Sequence, residues 1–376
     1  MTEIDTVAVS GTMKLTCSRD ELVQHLGIVA RGVSARTTVQ ILGGVMLAAE
    51  SGRLNLAATD MELSLRSSLE AQVESEGKAV VPGRLLVDLV RLLPEQEVAI
   101  GYRLEEGVVE ITCGAASYRL HTYSAEDFPR LPEVDPAQLY SVERDTLLDT
   151  VQRVSRSASR DESRPVLTGI LMRFESGKLV MAATDSYRLS VKETPVENGI
   201  PDLEAIVPAR GLAELGRIAT GDQVQLGVSE NQVVFGAGET WLTTRRIDGQ
   251  FPNYKQLIPE SFEHEVTLPR DELLDVVRRT SVMAQRNSPL RLRFADGELT
   301  ISAQTQDVGE AHESLPVAFS GEALEIGFNA DFLRDGVESV LGDELRLKLI
   351  SPLRPGLIQG EGDDFSYLIM PIRLAG

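Results

Sequence analysis

In 376 residues the chain holds two cysteines, four histidines and one tryptophan. Two thiols, Cys17 and Cys113, are too few for a disulfide framework. Both stand in apolar, strand-like surroundings that suit buried thiols, so a reducing compartment is expected. The histidines, His25, His121, His264 and His312, show none of the spacings that gather a metal. No phosphate-binding Gly-rich loop, nucleophile elbow or His-Glu-x-x-His is present, and no cofactor is expected. The longest apolar run, residues 41–49, is far too short to cross a bilayer. The first ten residues are polar and acidic without an apolar centre, so no secretory signal is expected and the chain reads as cytoplasmic. Positive charge is also scarce: 37 Lys and Arg against 57 Asp and Glu leave a net charge of −20. That excludes a protein whose whole surface grips nucleic acid, but not one with a local basic face.

What the chain does contain is a repeat. Ser18-Arg19-Asp20-Glu21-Leu22 is matched by Glu143-Arg144-Asp145-Thr146-Leu147 and again by Pro269-Arg270-Asp271-Glu272-Leu273, with the aspartates 125 and 126 residues apart. Val81-Pro82-Gly83-Arg84 returns as Val207-Pro208-Ala209-Arg210, and Asp127-Phe128-Pro129 as Gln250-Phe251-Pro252. Several unrelated landmarks share one offset, and each copy is domain-sized rather than a short solenoid unit. The expected organisation is a flexible N-terminal extension over 1–12 and three units over 13–138, 139–263 and 264–376. Pro- and acid-rich stretches at 129–136 and 259–263 separate the units.

Each unit reads as a short strand, a helix, alternating strands, a second helix and further strands. The first helix carries an Asp in its opening turn, where it suits the helix dipole. Leu22, Leu26 and Val29, then Leu147, Val151 and Val154, recur at helical spacing. In the second unit this helix is expected over 143–160. The second helices are expected over 84–93, 210–219 and 329–341. Two helices and about eight strands per unit describe an α+β fold with antiparallel sheets. The third copy has drifted, with Ser302-Ala303-Gln304 in place of Ala-Thr-Asp and Phe328-Asn329-Ala330-Asp331 in place of Val-Pro-x-Arg. One stretch combines scaffold and addition: Ala183-Thr184-Asp185 repeats Ala58-Thr59-Asp60, whereas Tyr187-Arg188-Leu189 has no echo.

These units, with residues 183–191, Asp248-Gly249-Gln250-Phe251-Pro252-Asn253-Tyr254, Gly327-Phe328-Asn329, Ser351-Pro352-Leu353-Arg354-Pro355 and the stretch 367–374, resemble the bacterial DNA sliding clamps, the β subunits of DNA polymerase III. The resemblance covers residues 13–374. It implies that two chains associate head to tail, so that six units close a ring with helices inside and antiparallel sheets outside. A head-to-tail contact closes a ring when its rotation permits, and closure leaves no open sheet edge. By position in the family, Tyr118 and Leu120 would meet Val282 and Met283 of a second copy. The implied function is a processivity factor that encircles duplex DNA, slides without sequence specificity and is not itself an enzyme. It would act in the cytoplasm, on the nucleoid during replication, and tether the replicative polymerase, clamp loader, repair polymerases and ligase.

Two sets of residues would carry that function. The formal charges of the three units are −8, −4 and −8, with the N-terminal extension counted in the first, yet arginines cluster on the expected helices. Arg153, Arg156 and Arg160 recur three and four apart, and Arg84 and Arg210 open second helices. With Arg36 and Arg164, which the resemblance adds, they are the expected DNA-facing set. Such a lining would hold phosphates weakly and in a salt-dependent way. The resemblance further implies an apolar slot for partner peptides, made by Leu167, Thr184, Tyr187, Arg188, Leu189, Pro252, Leu257, Asn329, Phe332, Leu353, Pro355, Met370, Pro371, Ile372 and Arg373. Leu, Met, Ile and Pro make an apolar groove, and a few polar groups fix orientation. Ser186-Tyr187 stands where enterobacterial members have Gly-His, so an altered peptide preference is expected. Two alternatives remain open: a repeat scaffold that binds peptides without DNA, and a hydrolase using Asp60 and Asp185. Against the latter, the third copy carries no acid there, and a strand-end Asp commonly ties a turn.

Overall fold

The computed structural model describes residues 12–34, 38–131, 139–196, 200–284, 288–306, 309–362 and 364–374. The helices are α1 (Arg19–Val29), α2 (Gly83–Arg91), α3 (Arg144–Ser155), the single-turn α4 (Pro165–Thr168), α5 (Ala209–Ile218), α6 (Arg270–Ser281) and α7 (Ala330–Ser339). Each repeat starts in the same way. A strand (Thr12–Ser18, Tyr140–Glu143 or His264–Pro269) runs into a helix whose first residue is an arginine. The backbone N–H of that arginine closes the loop after the repeat's second helix: Arg19 to the Gln96 carbonyl at 2.7 Å, Arg144 to Asp222 at 2.9 Å and Arg270 to Asp343 at 2.8 Å. The Arg-Asp landmark is thus one local solution used three times, with the aspartate in the helix's first turn.

The chain packs as two compact units: residues 1–144 with 214–246, and residues 145–213 with 247–376. This division crosses the three repeats because the sheets do not stop at repeat boundaries. In the first unit an eight-stranded antiparallel sheet runs in the order Tyr140–Glu143, Gln223–Val228, Gln232–Ala237, Thr240–Arg245, Leu63–Glu70, Arg53–Thr59, Gly44–Glu50 and Gly77–Pro82. Its middle pairing joins the second repeat to the first, Thr240 opposite Ser67 and Thr244 opposite Leu63. The companion five-stranded sheet orders Gln72–Ser75, Thr12–Ser18, Glu97–Arg103, Val108–Cys113 and Ala116–His121. Alternation builds these strands: Leu63, Leu65, Ser67 and Leu69 are buried while their neighbours are not. Leu22, Leu26 and Val29 of α1 and Leu86, Val87 and Val90 of α2 complete this core. Both cysteines are free and buried, and burial, with a smaller push from Glu21, raises the Cys17 thiol to about 12.

In the second unit an eight-stranded sheet orders Leu203–Pro208, Gly169–Glu175, Lys178–Thr184, Arg188–Pro195, Phe365–Ile369, Gly356–Gly360, Glu344–Leu349 and His264–Pro269. Here the third repeat joins the second, Arg188 opposite Ile369 and Lys192 opposite Phe365. A four-stranded sheet orders Gly309–Pro316, Glu298–Thr305, Leu290–Ala295 and Leu324–Phe328. Helices α6 and α7 give Leu273, Val277, Leu333 and Val337 to its core. Gly336 lets α7 lie against the Tyr367 ring, since a Cβ there would fall 2.6 Å from it.

The three expected second helices are observed within one or two residues of their expected ends. The expected helix 143–160 is not: α3 ends at Ser155, so Arg156 and Arg160 lie beyond it. Among the described residues no helix is long and apolar enough to cross a membrane, and no group of His, Cys, Asp or Glu is placed to hold a metal.

Candidate docking surface and DNA-facing residues

The slot starts from a turn that the chain makes twice. In the first repeat the Thr59 hydroxyl donates to the Leu63 carbonyl at 3.0 Å, and Asp60 Oδ1 accepts the backbone N–H groups of Glu62 (3.1 Å) and Leu63 (2.8 Å). In the second repeat the Thr184 hydroxyl donates to the Arg188 carbonyl at 2.7 Å, and Asp185 Oδ1 accepts from Tyr187 (2.9 Å) and Arg188 (3.0 Å). The residue after each aspartate takes a left-handed backbone, φ 78° at Met61 and 79° at Ser186. Asp60 and Asp185 are therefore turn ties, each committed to two N–H groups, as the strand-end reading expects. Thr184 and Leu189 are buried parts of that scaffold rather than exposed slot surface.

What differs is the side chains the second turn presents. Tyr187 is 62% exposed at its apex. The Tyr187 carbonyl accepts the Met370 N–H at 2.8 Å, which brings the end of the third repeat against the turn. Met370, 41% exposed, continues the strand Phe365–Ile369. Ile372 is held by its N–H to the Gly327 carbonyl at 2.8 Å. Gly327 suits this close approach, because a Cβ would come 3.0 Å from the Ile372 carbonyl oxygen. Leu353, 61% exposed, occupies the third position of a β-turn closed by Arg354 N–H to the Ser351 carbonyl at 3.2 Å, with Pro352 at the position that favours it. Pro355 leads into Gly356, which pairs with Ile369. Leu257, 50% exposed, ends the short helical turn Tyr254–Leu257, anchored by Phe251 and Tyr254 in the same core as Leu189. Leu167 in α4 and Pro252 are half-buried. The Leu167 carbonyl accepts the Ser159 N–H at 2.8 Å.

The polar members are more committed than their residue types suggest. Asn329 caps α7, its Oδ1 accepting the Phe332 N–H at 3.0 Å. Arg188 is nearly buried. Its Nε meets Asp185 at 3.0 Å, its Nη1 meets Asp335 at 2.5 Å, and its guanidinium lies 4.3 Å over the Phe332 ring. Burial works against its charge, but Tyr367, Asp335 and Asp185 outweigh burial and hold its pKa above the ordinary arginine value. Arg373 is exposed. Sequence reasoning missed Asp335 and Glu338, three apart on α7. No motif marks them, and their role depends on partners from other elements.

The DNA-facing set divides. Arg84, Arg160, Arg164 and Arg210 are exposed, while Arg36 lies outside the described residues. Arg164 pairs with Asp161 and donates to the Ser186 hydroxyl at 3.0 Å. Arg153 corrects the expectation. It is 4% exposed, donates to the Ser339 carbonyl at 2.7 Å and lies 4.4 Å over the Phe365 ring, so it is a packing residue and not a phosphate ligand. Arg156 is half-buried and engaged by Asp335 and Glu338. The spacing of the arginines misled here, because the acids arrive from other elements: Glu338 also meets Arg278, and Glu313 meets Arg279. At the expected subunit contact, Tyr118 and Val282 are exposed, Leu120 is buried and Met283 is half-buried.

Three α+β repeats, sheets that continue from one repeat into the next and exposed Tyr187 and Met370 at the second continuation define a clamp-type scaffold. Models of the DNA polymerase III beta subunit match the chain domain by domain: the N-terminal domain over residues 13–132, the central domain over 141–253 and the C-terminal domain over 255–373. The beta sliding clamp of Streptomyces coelicolor is 35% identical over 97% of this chain and all of its own length. That of Synechococcus elongatus is 33% identical over 96% of this chain and all of its own. Among solved structures, the Bacillus subtilis clamp superimposes with a TM-score of 0.92 at 27% identity, over 96% of this chain and all of that one. A Pseudomonas aeruginosa clamp bound to griselimycin does so with a TM-score of 0.89 at 30% identity, over 97% of this chain and all of that one. The chain belongs to the DNA polymerase III beta subunit family, the bacterial beta sliding clamps.

Proposed function

We propose that two copies of this chain close head to tail around duplex DNA, slide on it without reading its sequence and act as a non-catalytic accessory to DNA polymerase. The replicative polymerase, clamp loader, repair polymerases and ligase would dock in the slot built on Tyr187, Leu257, Leu353 and Met370. One observation carries the ring. At both internal repeat boundaries the last strand of one repeat pairs with the fourth-strand equivalent of the one before it. The same two strands remain as sheet edges at the chain's extremes, Ala116–His121 in the first repeat and Gly309–Pro316 in the third. Pairing them between copies repeats the internal junction a third time and removes both open edges.

The register follows from the two internal junctions. Strand equivalence places Leu120 opposite Gly309 of the partner, Arg119 opposite Glu310 and Tyr118 opposite Ala311. Opposite charges face each other, which favours this pairing. Met283 Sδ lies 3.9 Å from where a Cβ on Gly309 would be, so Leu120 would reach Met283 as expected. Light scattering should give twice the 41.0 kDa of one chain. Substituting Glu310→Arg, which opposes Arg119 with a like charge, should shift the mass toward that of one chain at low concentration. An undisturbed dimer would reject this register. Exposed Arg84, Arg160, Arg164 and Arg210 support non-specific phosphate contact.

A further inference from the structure

A charged cluster stands beside the proposed slot, and its Arg188 side has no counterpart at the first repeat junction. Arg188 reaches between Asp185, three residues before it in its own turn, and Asp335 on α7. Asp335 Oδ1 is met from the other side by Arg156 at 3.5 Å, and Arg156 also meets Glu338 at 2.5 Å. Glu338 meets Arg278 of α6 at 2.8 Å. The line of alternating charge therefore runs from the slot turn through α7 to α6. Phe332 sits at its slot end. Its ring is covered by the Arg188 guanidinium, its N–H is capped by Asn329, and its carbonyl accepts the Tyr367 hydroxyl at 2.8 Å.

The first repeat junction has the same strand pairing, the same turn and one of these ion pairs, Arg31–Glu214, which matches Arg156–Asp335, but it lacks the Arg188 side of the cluster. Leu63 stands where Arg188 does, and Gly211 where Phe332 does. Glu214, the counterpart of Asp335, keeps the pair with Arg31, the counterpart of Arg156, and takes Arg217 of its own helix as its second partner. The fold therefore does not need the Arg188–Asp335 contact to hold two repeats together. The presence of that contact only where the proposed slot lies points to a role there.

We infer that Asp335 is a positioning residue for partner docking: it holds the Arg188 guanidinium over Phe332 and so fixes the aromatic wall of the slot before a partner arrives. This rests on reading the slot as the docking site. An arginine left to itself has several rotamers, and holding it in one removes an ordering cost from the binding step. A guanidinium is suited to this because its planar fork can meet two carboxylates while stacking on a ring. Burial favours the protonated form of Glu338, but Arg278 and Arg156 overcome it and keep its pKa below the ordinary glutamate value, so the cluster stays charged at neutral pH.

The test measures the affinity of full-length variants for the replicative polymerase, alongside melting temperature and ring mass. Asp335→Asn, which keeps size and removes charge, should weaken binding about tenfold with ring mass unchanged. Arg188→Lys, which keeps charge and loses the fork, should do the same and covers the case in which Asp335→Asn folds poorly. A double-substitution cycle separates positioning from bulk stability. If Asp335 acts through the Phe332 wall, Asp335→Asn adds nothing to the loss already caused by Phe332→Leu. Unchanged affinity in Asp335→Asn and Arg188→Lys, or losses that simply add with Phe332→Leu, would overturn the inference. Met370→Ala serves as the reference for the docking site. If it too leaves affinity unchanged, the slot reading falls and this inference falls with it. Loss with Met370→Ala alone rejects only the positioning role.

Discussion

Arginine shows at the scale of single residues how little a residue type says about its task. Arg153, Arg156 and Arg160 are three or four apart in sequence, yet the first is buried, the second paired with two carboxylates and the third exposed. Arg153→Ala should lower the unfolding free energy by about 3 kcal/mol, since it strands the Ser339 carbonyl and empties the space over Phe365. Chemical denaturation measures that loss. Arg160→Ala should leave the same denaturation curve unmoved and weaken DNA retention, with a shallower dependence on salt. Equal destabilisation by both changes would remove the distinction drawn between them. Tyr187 stands exposed at the turn apex, its carbonyl bonded to the Met370 N–H.

At the scale of elements, the strand–turn–strand around Thr184 and the helix α7 carry the slot. The turn could be read in the sequence because it is local: threonine and aspartate tie down backbone groups two to four residues away, and the same three letters at 58–60 repeat the arrangement. Helix α7 could be read less well. Its cap, Asn329, was legible as part of a motif, but the oxygen that suggested a ligand contact is spent on the Phe332 N–H. Asn329→Ala should cost about 1 kcal/mol of stability, measured by denaturation, through the lost cap. It should also weaken docking, since the cap holds the Phe332 N–H in the first turn of α7. A stability loss with docking intact would show that Phe332 does not depend on the cap. Helix α3 was expected five residues too long. The polar, charged stretch after Ser155 still suits a helix by propensity, but Ser157, Ser159 and Leu167 draw the chain into a turn.

For the whole molecule, the sheets decide how the repeats are joined. Each internal junction is a strand pairing, and the edge strands at the extremes, Ala116–His121 and Gly309–Pro316, are the ones the proposed ring would join. Clamp loaded on nicked circular DNA should be released when the circle is cut, because a topological link holds it rather than affinity. Retention on the linear product would count against encirclement. Acid should loosen the second unit. Glu338 has a folded pKa held below its ordinary value of 4.5, so its contribution is present above that value and is lost as pH falls through the folded pKa. Thermal melts taken from pH 7 downward should fall below pH 4.5, and Glu338→Gln should flatten that fall. A slope unchanged by Glu338→Gln would place the acid sensitivity elsewhere.

The amino-acid sequence by itself determined the threefold repeat, the α+β class, the helix starts and the twice-used turn. All of these rest on spacing and on contacts within a few residues. The tertiary structure alone decided which arginines are buried, which carboxylates meet them and that Asp335 and Glu338 stand behind the slot. Arg156 and Glu338, for example, stand 182 positions apart, and a charge is neutralised by whatever the fold brings beside it, not by its neighbours in sequence. For the same reason the slot became legible only where strands from two repeats meet, with Tyr187 and Met370 linked across a single hydrogen bond.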